Sequence, residues 1–348
     1  MIGRRALGMA GAAAAMLGSA PALRRPAIAR GAPPRLVFVV PRPGVTPFWD
    51  DFTAGMRVAA EQLGMALEIR VANRNRDALL AAVAEAPRPD LLLMVNVERA
   101  GRAILEAAST RNIACMLVLD DLIGADAELI GPPRSRLSNY IGSLSGDEGP
   151  AGEALGERLI ALARGRNWQA ADGLVHLLAL AGDAASPTAL ARQAGLARAV
   201  AGQGGVILDR MLPASWDPET AGRLTTRYLA WAARNGIRPA GVWAANEVMA
   251  RAAAAAFAEA GFVPGLEAGF VTFGWAGSAL EAVEAGRVEA TMGGNVMVGG
   301  WAMVLVRDWF DGHDFVQHGS ARLRFNMTPL DSRTLPSFRE SFGTSPWL

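Results

Sequence analysis

The chain contains no lysine among its 348 residues, so all 34 of its basic side chains are arginine. That absence removes two kinds of chemistry, because a Schiff base needs a lysine amine and a Walker-type loop needs the lysine that reaches the outer phosphates. Cysteine is nearly absent too. The single residue Cys115 cannot close an internal disulfide, and its place in the apolar run 114–119 makes it a core thiol rather than a nucleophile. The three histidines form no metal set: His176 lies inside an apolar strand as a paired core imidazole, and His313 and His318 lie in a polar stretch without clustered carboxylates. No G-x-G-x-x-G follows a strand and there is no nucleophile elbow, so no catalytic residue, cofactor or metal is expected. Charge of either sign is not in excess. With 34 basic and 33 acidic residues and no long run of one sign, nothing marks a nucleic-acid or anionic-membrane surface, and the expected partner is a small neutral or weakly charged molecule.

The first 29 residues read as a targeting segment. Arg4 and Arg5 precede an uncharged stretch, Ala6 to Leu17, followed by small residues at Ala20-Pro21-Ala22 and Ala27-Ile28-Ala29. The apolar stretch is too short to span a bilayer, which favours a cleaved leader and a periplasmic product over an anchor. Paired arginines suit the twin-arginine route and also occur in ordinary secretory leaders.

Beyond the leader, short apolar runs alternate with longer amphipathic ones. Strands are predicted at 36–40, 66–71, 90–95 and 114–119, with helices between them at 49–63, 77–86 and 100–109. The rhythm restarts with strands at 174–180, 206–209, 242–245 and 270–273, and helices at 153–163, 188–201, 218–235 and 247–261. Near-continuous apolar strands separated by helices argue for parallel sheets covered on both faces, hence an α/β chain with two doubly wound lobes. In such sheets a ligand sits beyond the carboxyl ends of the strands.

Polar and aromatic residues recur at those ends. Phe48 and Trp49 follow the first strand, where they are either a stacking surface for the C–H face of a sugar or a hydrophobic staple for the helix. Asn96 follows the third strand, Asp120 and Asp121 the fourth, and Asn246 with Glu247 the run Val242-Trp243-Ala244-Ala245. Each can engage neighbouring hydroxyls, and each can equally cap the helix that follows.

The segment 242–250 followed by 255–261 resembles the strand, Asn-Asp and Met-Ala segment of type I periplasmic binding proteins, the ribose-binding-like family that serves ABC transporters. Leu280 to Gly286, Val288 to Thr291 and Tyr140-Ile141-Gly142 resemble further family segments, so the likeness runs from Leu36 to about Phe325. Phe48-Trp49, Gly274-Trp275 and 292–295 leading into 299–303 are most similar to the subgroup that includes the autoinducer-2 receptor. The resemblance implies a first lobe of 36–138 with 295–323, a second of 139–294 with 324–348, and a three-stranded hinge. It implies ligand contacts from Phe48, Trp49, Asn96 and Asp120 in the first lobe and from Arg192, Trp216 and Asn246 in the second. Gly274 stands where ribose binders carry an aspartate, Gly294 or Asn295 where they carry glutamine, and Asp121 where they carry arginine; Trp275 or Asn295 would then supply altered contacts. Trp49→Ala or Arg192→Ala is expected to remove most affinity and leave the fold intact.

The expected function is capture of a sugar or sugar-like ligand by hinge closure for delivery to an ABC permease in the inner membrane. The alternative is presentation of an autoinducer-2 type signal to a membrane sensor kinase. A lactose-repressor type regulator shares the ligand-binding core but needs a helix-turn-helix ahead of the first strand, where this chain offers only its leader.

Overall fold

The computed structural model describes residues 32–41, 47–72, 75–86 and 88–343. The leader reading of residues 1–29 lies outside them. The first half runs β1 (Arg35–Val40), α1 (Pro47–Gln62), β2 (Ala66–Val71), α2 (Arg76–Ala84), β3 (Leu91–Met94), α3 (Gly101–Thr110), β4 (Ala114–Val118), α4 (Gly124–Ile130) and β5 (Tyr140–Gly146). The second continues α5 (Glu148–Gly165), β6 (Val175–Ala181), α6 (Pro187–Ala201), β7 (Val206–Pro213), α7 (Pro218–Arg234), β8 (Pro239–Ala244), α8 (Glu247–Glu259), β9 (Gly269–Phe273), α9 (Gly277–Glu284) and β10 (Ala290–Gly293). The chain ends α10 (Val298–Asp311), β11 (Arg322–Phe325), β12 (Thr328–Asp331) and α11 (Leu335–Phe342).

Two six-stranded sheets result, ordered β11-β5-β4-β3-β1-β2 and β12-β10-β9-β8-β6-β7. Among the described residues β12 alone runs antiparallel to its neighbour, β10. The apolar runs are buried on both faces, as a parallel sheet flanked by helices requires. In β1, Leu36, Phe38 and Val40 pack with Phe52, Met56 and Trp309 of α1 and α10, while Val37 and Val39 face Leu79, Val83 and Ile104 of α2 and α3. The second lobe is built around Trp243, Phe257, Phe270 and Phe273, all fully buried.

The chain passes between the sheets three times: after Gly146, at Gly294, and between Phe325 and Thr328. The first passage corrects the boundary at 138 implied by the resemblance. Tyr140–Gly146 pairs in parallel with β4, so this strand completes the first sheet and the crossing follows it. The last passage likewise moves from 323 to beyond Phe325, because β11 pairs with β5 over its whole length.

Helices α5 and α6 approach unusually closely. A side chain at Gly152 would collide with the carbonyl of Arg192, and one at Gly195 with the carbonyl of Gly149. This contact sets the depth at which Arg192 sits below the ends of the second sheet.

Candidate functional site

The carboxyl ends of both sheets face one interlobe cleft that encloses about 150 Å³. A cavity of that size takes a single six-membered ring and not a chain of them. Phe48 and Trp49 form its wall in the first lobe, half-buried at the start of α1. Their rings meet edge to face at 4.9 Å between centroids, and both pack on Phe52 at 5.8 and 5.6 Å. The two roles weighed for this pair are therefore compatible: the rings anchor the helix on one side and face the cleft on the other.

Asp120 follows Leu119, which adopts a left-handed backbone at φ 66°, and is carried across to the other lobe. Its Oδ1 accepts a hydrogen bond from the Thr188 backbone N–H at 2.8 Å, and its Oδ2 lies 3.5 Å from the Ser186 hydroxyl. The carboxylate thus sits at the N-terminus of α6, which Ser186 and Pro187 start. Burial pushes its pKa from 3.8 up to about 6; the bonds from Thr188 and the Arg192 charge offset this only in part, and nearby Glu148 adds to it.

In the second lobe the Arg192 guanidinium lies over the Phe273 ring at 3.9 Å and within 5.9 Å of the Trp216 ring centroid. Its Nε donates to Glu148 Oε2 at 2.6 Å and its Nη1 to the Ala245 carbonyl at 2.6 Å. Glu148 Oε1 accepts in turn from Asn295 Nδ2 at 2.6 Å. Glu148 follows the first crossing and Asn295 the second, so this buried chain ties the floor of the cleft to two hinge segments. Burying an ion pair is tolerable only when each partner's remaining groups are also satisfied, and here they largely are.

Trp216 reaches the cleft from a left-handed turn, with Ser215 at φ 53° and Trp216 at φ 62°. Asn246 caps α8 through Met249 N–H at 3.0 Å and directs its Nδ2 at the Trp216 carbonyl at 3.4 Å. Trp275 also lines the cleft, its ring against Phe338 at 4.9 Å. Trp275 Nε1 and Asn295 Oδ1 are buried and have no hydrogen-bond partner among the described residues.

Eight of the nine expected site residues therefore line this one cleft: Phe48, Trp49, Asp120, Arg192, Trp216, Asn246, Trp275 and Asn295. Asn96 does not. Its Oδ1 accepts from Gly101 N–H and its Nδ2 donates to the Asp121 carbonyl, both at 2.9 Å, so the amide joins the start of α3 to the β4 loop inside the first lobe. Asp121 also points inward, accepting from Tyr140 Oη at 2.7 Å and pairing with Arg322 Nε at 2.7 Å, which fastens the end of β4 to β5 and β11.

Among the lining residues outside the sequence-based site are Glu98, Asp183, Phe273 and Met327, together with Glu247, which the sequence sets beside Asn246. Asp183 follows β6 as Asp120 follows β4, and that shared position was the available signal. Glu247 is 7 % exposed and burial pushes its pKa from 4.5 up to about 7; its own backbone N–H, Arg192 and Arg251 oppose the rise, while Asp51 of the first lobe adds to it. The arrangement presents aromatic faces and hydrogen-bond acceptors to a small ligand. Among the described residues no group of three His, Cys, Asp or Glu side chains is placed to hold a metal ion, and no helix is long and apolar enough to cross a membrane.

Residues 36–312 match the periplasmic binding protein domain family, and the chain belongs to that family. No curated protein matches the sequence significantly. Among solved structures, a periplasmic sugar-binding protein from Pseudomonas fluorescens is 26 % identical, covering 89 % of this chain and 90 % of its own at a TM-score of 0.75. The binding component of the arabinose ABC transporter from Shewanella sp. ANA-3, bound to L-arabinofuranose, is 19 % identical over 88 % of this chain and 95 % of its own, with a TM-score of 0.72. A Caulobacter myo-inositol binding protein bound to myo-inositol is 16 % identical over 87 % and 95 %, with a TM-score of 0.71. The fold is that of a type I periplasmic binding protein.

Proposed function

We propose that this periplasmic binding protein captures one monosaccharide or cyclic polyol in the interlobe cleft by hinge closure and delivers it to an ABC permease of the inner membrane. The observation that carries the reading is convergence. Phe48 and Trp49 from one lobe and Trp216 and Trp275 from the other face a single ring-sized cavity, beside Asp120, Glu247 and Asn295. Aromatic faces suit the C–H surface of a sugar ring, and carboxylate and amide groups suit its hydroxyls. Phe48, Trp49, Asp120, Arg192, Trp216, Asn246, Trp275 and Asn295 are proposed as the contacts, with Arg192 acting from beneath the floor. The sugar and polyol ligands of the structurally similar proteins from Shewanella and Caulobacter agree with the size and chemistry of the cavity.

Ligand favours the closed form because it touches both lobes at once, and a membrane partner docking across the lobes reads that closure. The arginine-paired leader supports export to the periplasm. The motifs that resemble the autoinducer-2 receptor subgroup extend the reading to a furanose-like signal, for which the partner would be a sensor kinase. A thermal-shift screen against pentoses, hexoses, cyclic polyols and autoinducer-2 tests the proposal, since a ligand that binds only the native state raises the melting temperature. A rise with at least one of these compounds is expected; no rise with any of them rejects the sugar-binding reading.

A further inference from the structure

We infer that Glu247 is the specificity-determining carboxylate of the cleft, an acceptor for one hydroxyl of the ligand, and that Gly274 is glycine in order to leave it room. Gly274 directly follows β9 at φ +117°, a conformation that side-chain-bearing residues rarely adopt, and a Cβ there would collide with Glu247 Oε2. Its carbonyl is held by the Thr291 hydroxyl, so the strand end is fixed with its open side toward Glu247. Two strand ends have thus divided one position between them, α8 supplying the side chain and β9 the space.

Glu247 belongs to the lining of the cleft and is buried, yet no side chain of the described residues donates a hydrogen bond to it. Arg192 lies near but commits its Nε and Nη1 to Glu148 and Ala245. A buried carboxylate with unused acceptor positions is costly unless a donor is supplied, and in this cleft the ligand can supply one. Trp275, next in the chain to Gly274, offers a buried indole N–H with no partner among the described residues. Both residues line the cleft, and together a carboxylate and an indole N–H match a hydroxyl, which donates to the first and accepts from the second. The raised pKa of Glu247 agrees with this, because the charged groups around it are Arg192 and Arg251 on the second lobe and Asp51 on the first, and none of them relieves its burial fully.

The inference rests on the sugar-binding reading, and one experiment separates the two. Intrinsic tryptophan fluorescence is titrated with L-arabinose, D-allose and myo-inositol for the wild type, Glu247→Gln, Glu247→Ala and Trp49→Ala, at pH 6 and pH 8, with the melting temperature of each variant as a fold control. For the sugar that binds the wild type, the hydroxyl donates to the ionised carboxylate, and the variants are compared with the wild type at both pH values. Glu247→Gln should bind several-fold more weakly with a smaller pH dependence than the wild type, and Glu247→Ala at least tenfold more weakly. If both Glu247 variants match the wild type at both pH values while Trp49→Ala loses affinity, the cleft binds sugar without Glu247 and this inference alone is wrong. If neither these three compounds nor any other of the thermal-shift screen binds the wild type, the sugar-binding reading falls and the inference with it.

Discussion

Replacing Asp120 by asparagine should close the empty cleft rather than open it. If parting the lobes returns the carboxylate to water it titrates near its ordinary 3.8, whereas in the closed arrangement burial raises it to about 6 in spite of the Thr188 hydrogen bonds. The difference corresponds to roughly 3 kcal/mol by which closure disfavours the ionised form, a change of about a hundredfold in the closed-to-open ratio. Asparagine keeps an oxygen for the Thr188 N–H, 2.8 Å away in the native protein, and carries no charge to bury. Closure of the wild type takes up a proton, so its closed fraction should grow as pH falls from above 6 toward 4 and shrink again as pH rises through about 6. The pH effect should shrink in Asp120→Asn to the part that Glu247, raised to about 7 by burial, still contributes. Distance measurement by electron spin resonance between labels at Glu61→Cys and Glu259→Cys reads the ratio directly, because Cys115 is fully buried and does not take a label. An unliganded Asp120→Asn distance equal to or longer than that of the wild type would refute the reasoning, as would a closed fraction that falls with acid. Under the proposed function the same penalty gives the ligand its part in closure, since hydroxyls donating to Asp120 and Glu247 would offset the cost of burying them.

Three further outcomes follow from contacts elsewhere. Arg192→Ala should destabilise the second lobe by about 3–5 kcal/mol in urea unfolding, because Glu148 would stay buried without its partner; this departs from the sequence-based expectation that the fold would be untouched, and full stability would contradict it. Gly195→Ala should lower both the melting temperature and sugar affinity, since its methyl meets the Gly149 carbonyl and pushes α6 and Arg192 away from α5; a variant with native melting and affinity would remove the close approach as a constraint. His176 is buried, which lowers its pKa, but its bonds to Asp209 at 2.8 Å and Asp172 at 3.0 Å outweigh this and raise it above 6.5. Its charged form should therefore stabilise the protein at and below pH 6.5 and cease to do so as pH rises past the raised value, so the stability deficit of His176→Gln should be largest in acid; a deficit that grows with pH would contradict the pairing.

What could be read from the residues was local. Ala66 to Val71 announces a strand by itself, and His176 declares a paired core residue by sitting among apolar neighbours; the structure agrees with both. Which sheet a strand joins is a non-local matter. Tyr140 to Gly146 mixes two serines and two glycines with its apolar residues, and only its pairing with β4 and β11 shows that the crossing lies beyond it. Orientation at strand ends is equally hidden. Asn96 and Asp120 occupy like places in sequence, but the first turns inward to the start of α3 while the left-handed Leu119 sends the second across the cleft. Glu247 stands beside Asn246 and was overshadowed by it, because the feature that admits its carboxylate to the cleft is the absence of a side chain at Gly274, far along the chain. Arg192 carried no local signal beyond its resemblance to the family, since its place depends on two glycines meeting between α5 and α6.

The most direct test of convergence is isothermal titration calorimetry with the sugar that gives the largest thermal shift, applied to the wild type, Trp49→Ala and Trp216→Ala, one tryptophan from each lobe. One-to-one binding by the wild type, weakened at least tenfold in both variants without loss of fold, is the predicted result. Wild-type affinity in either variant would mean that the two lobes do not share the ligand.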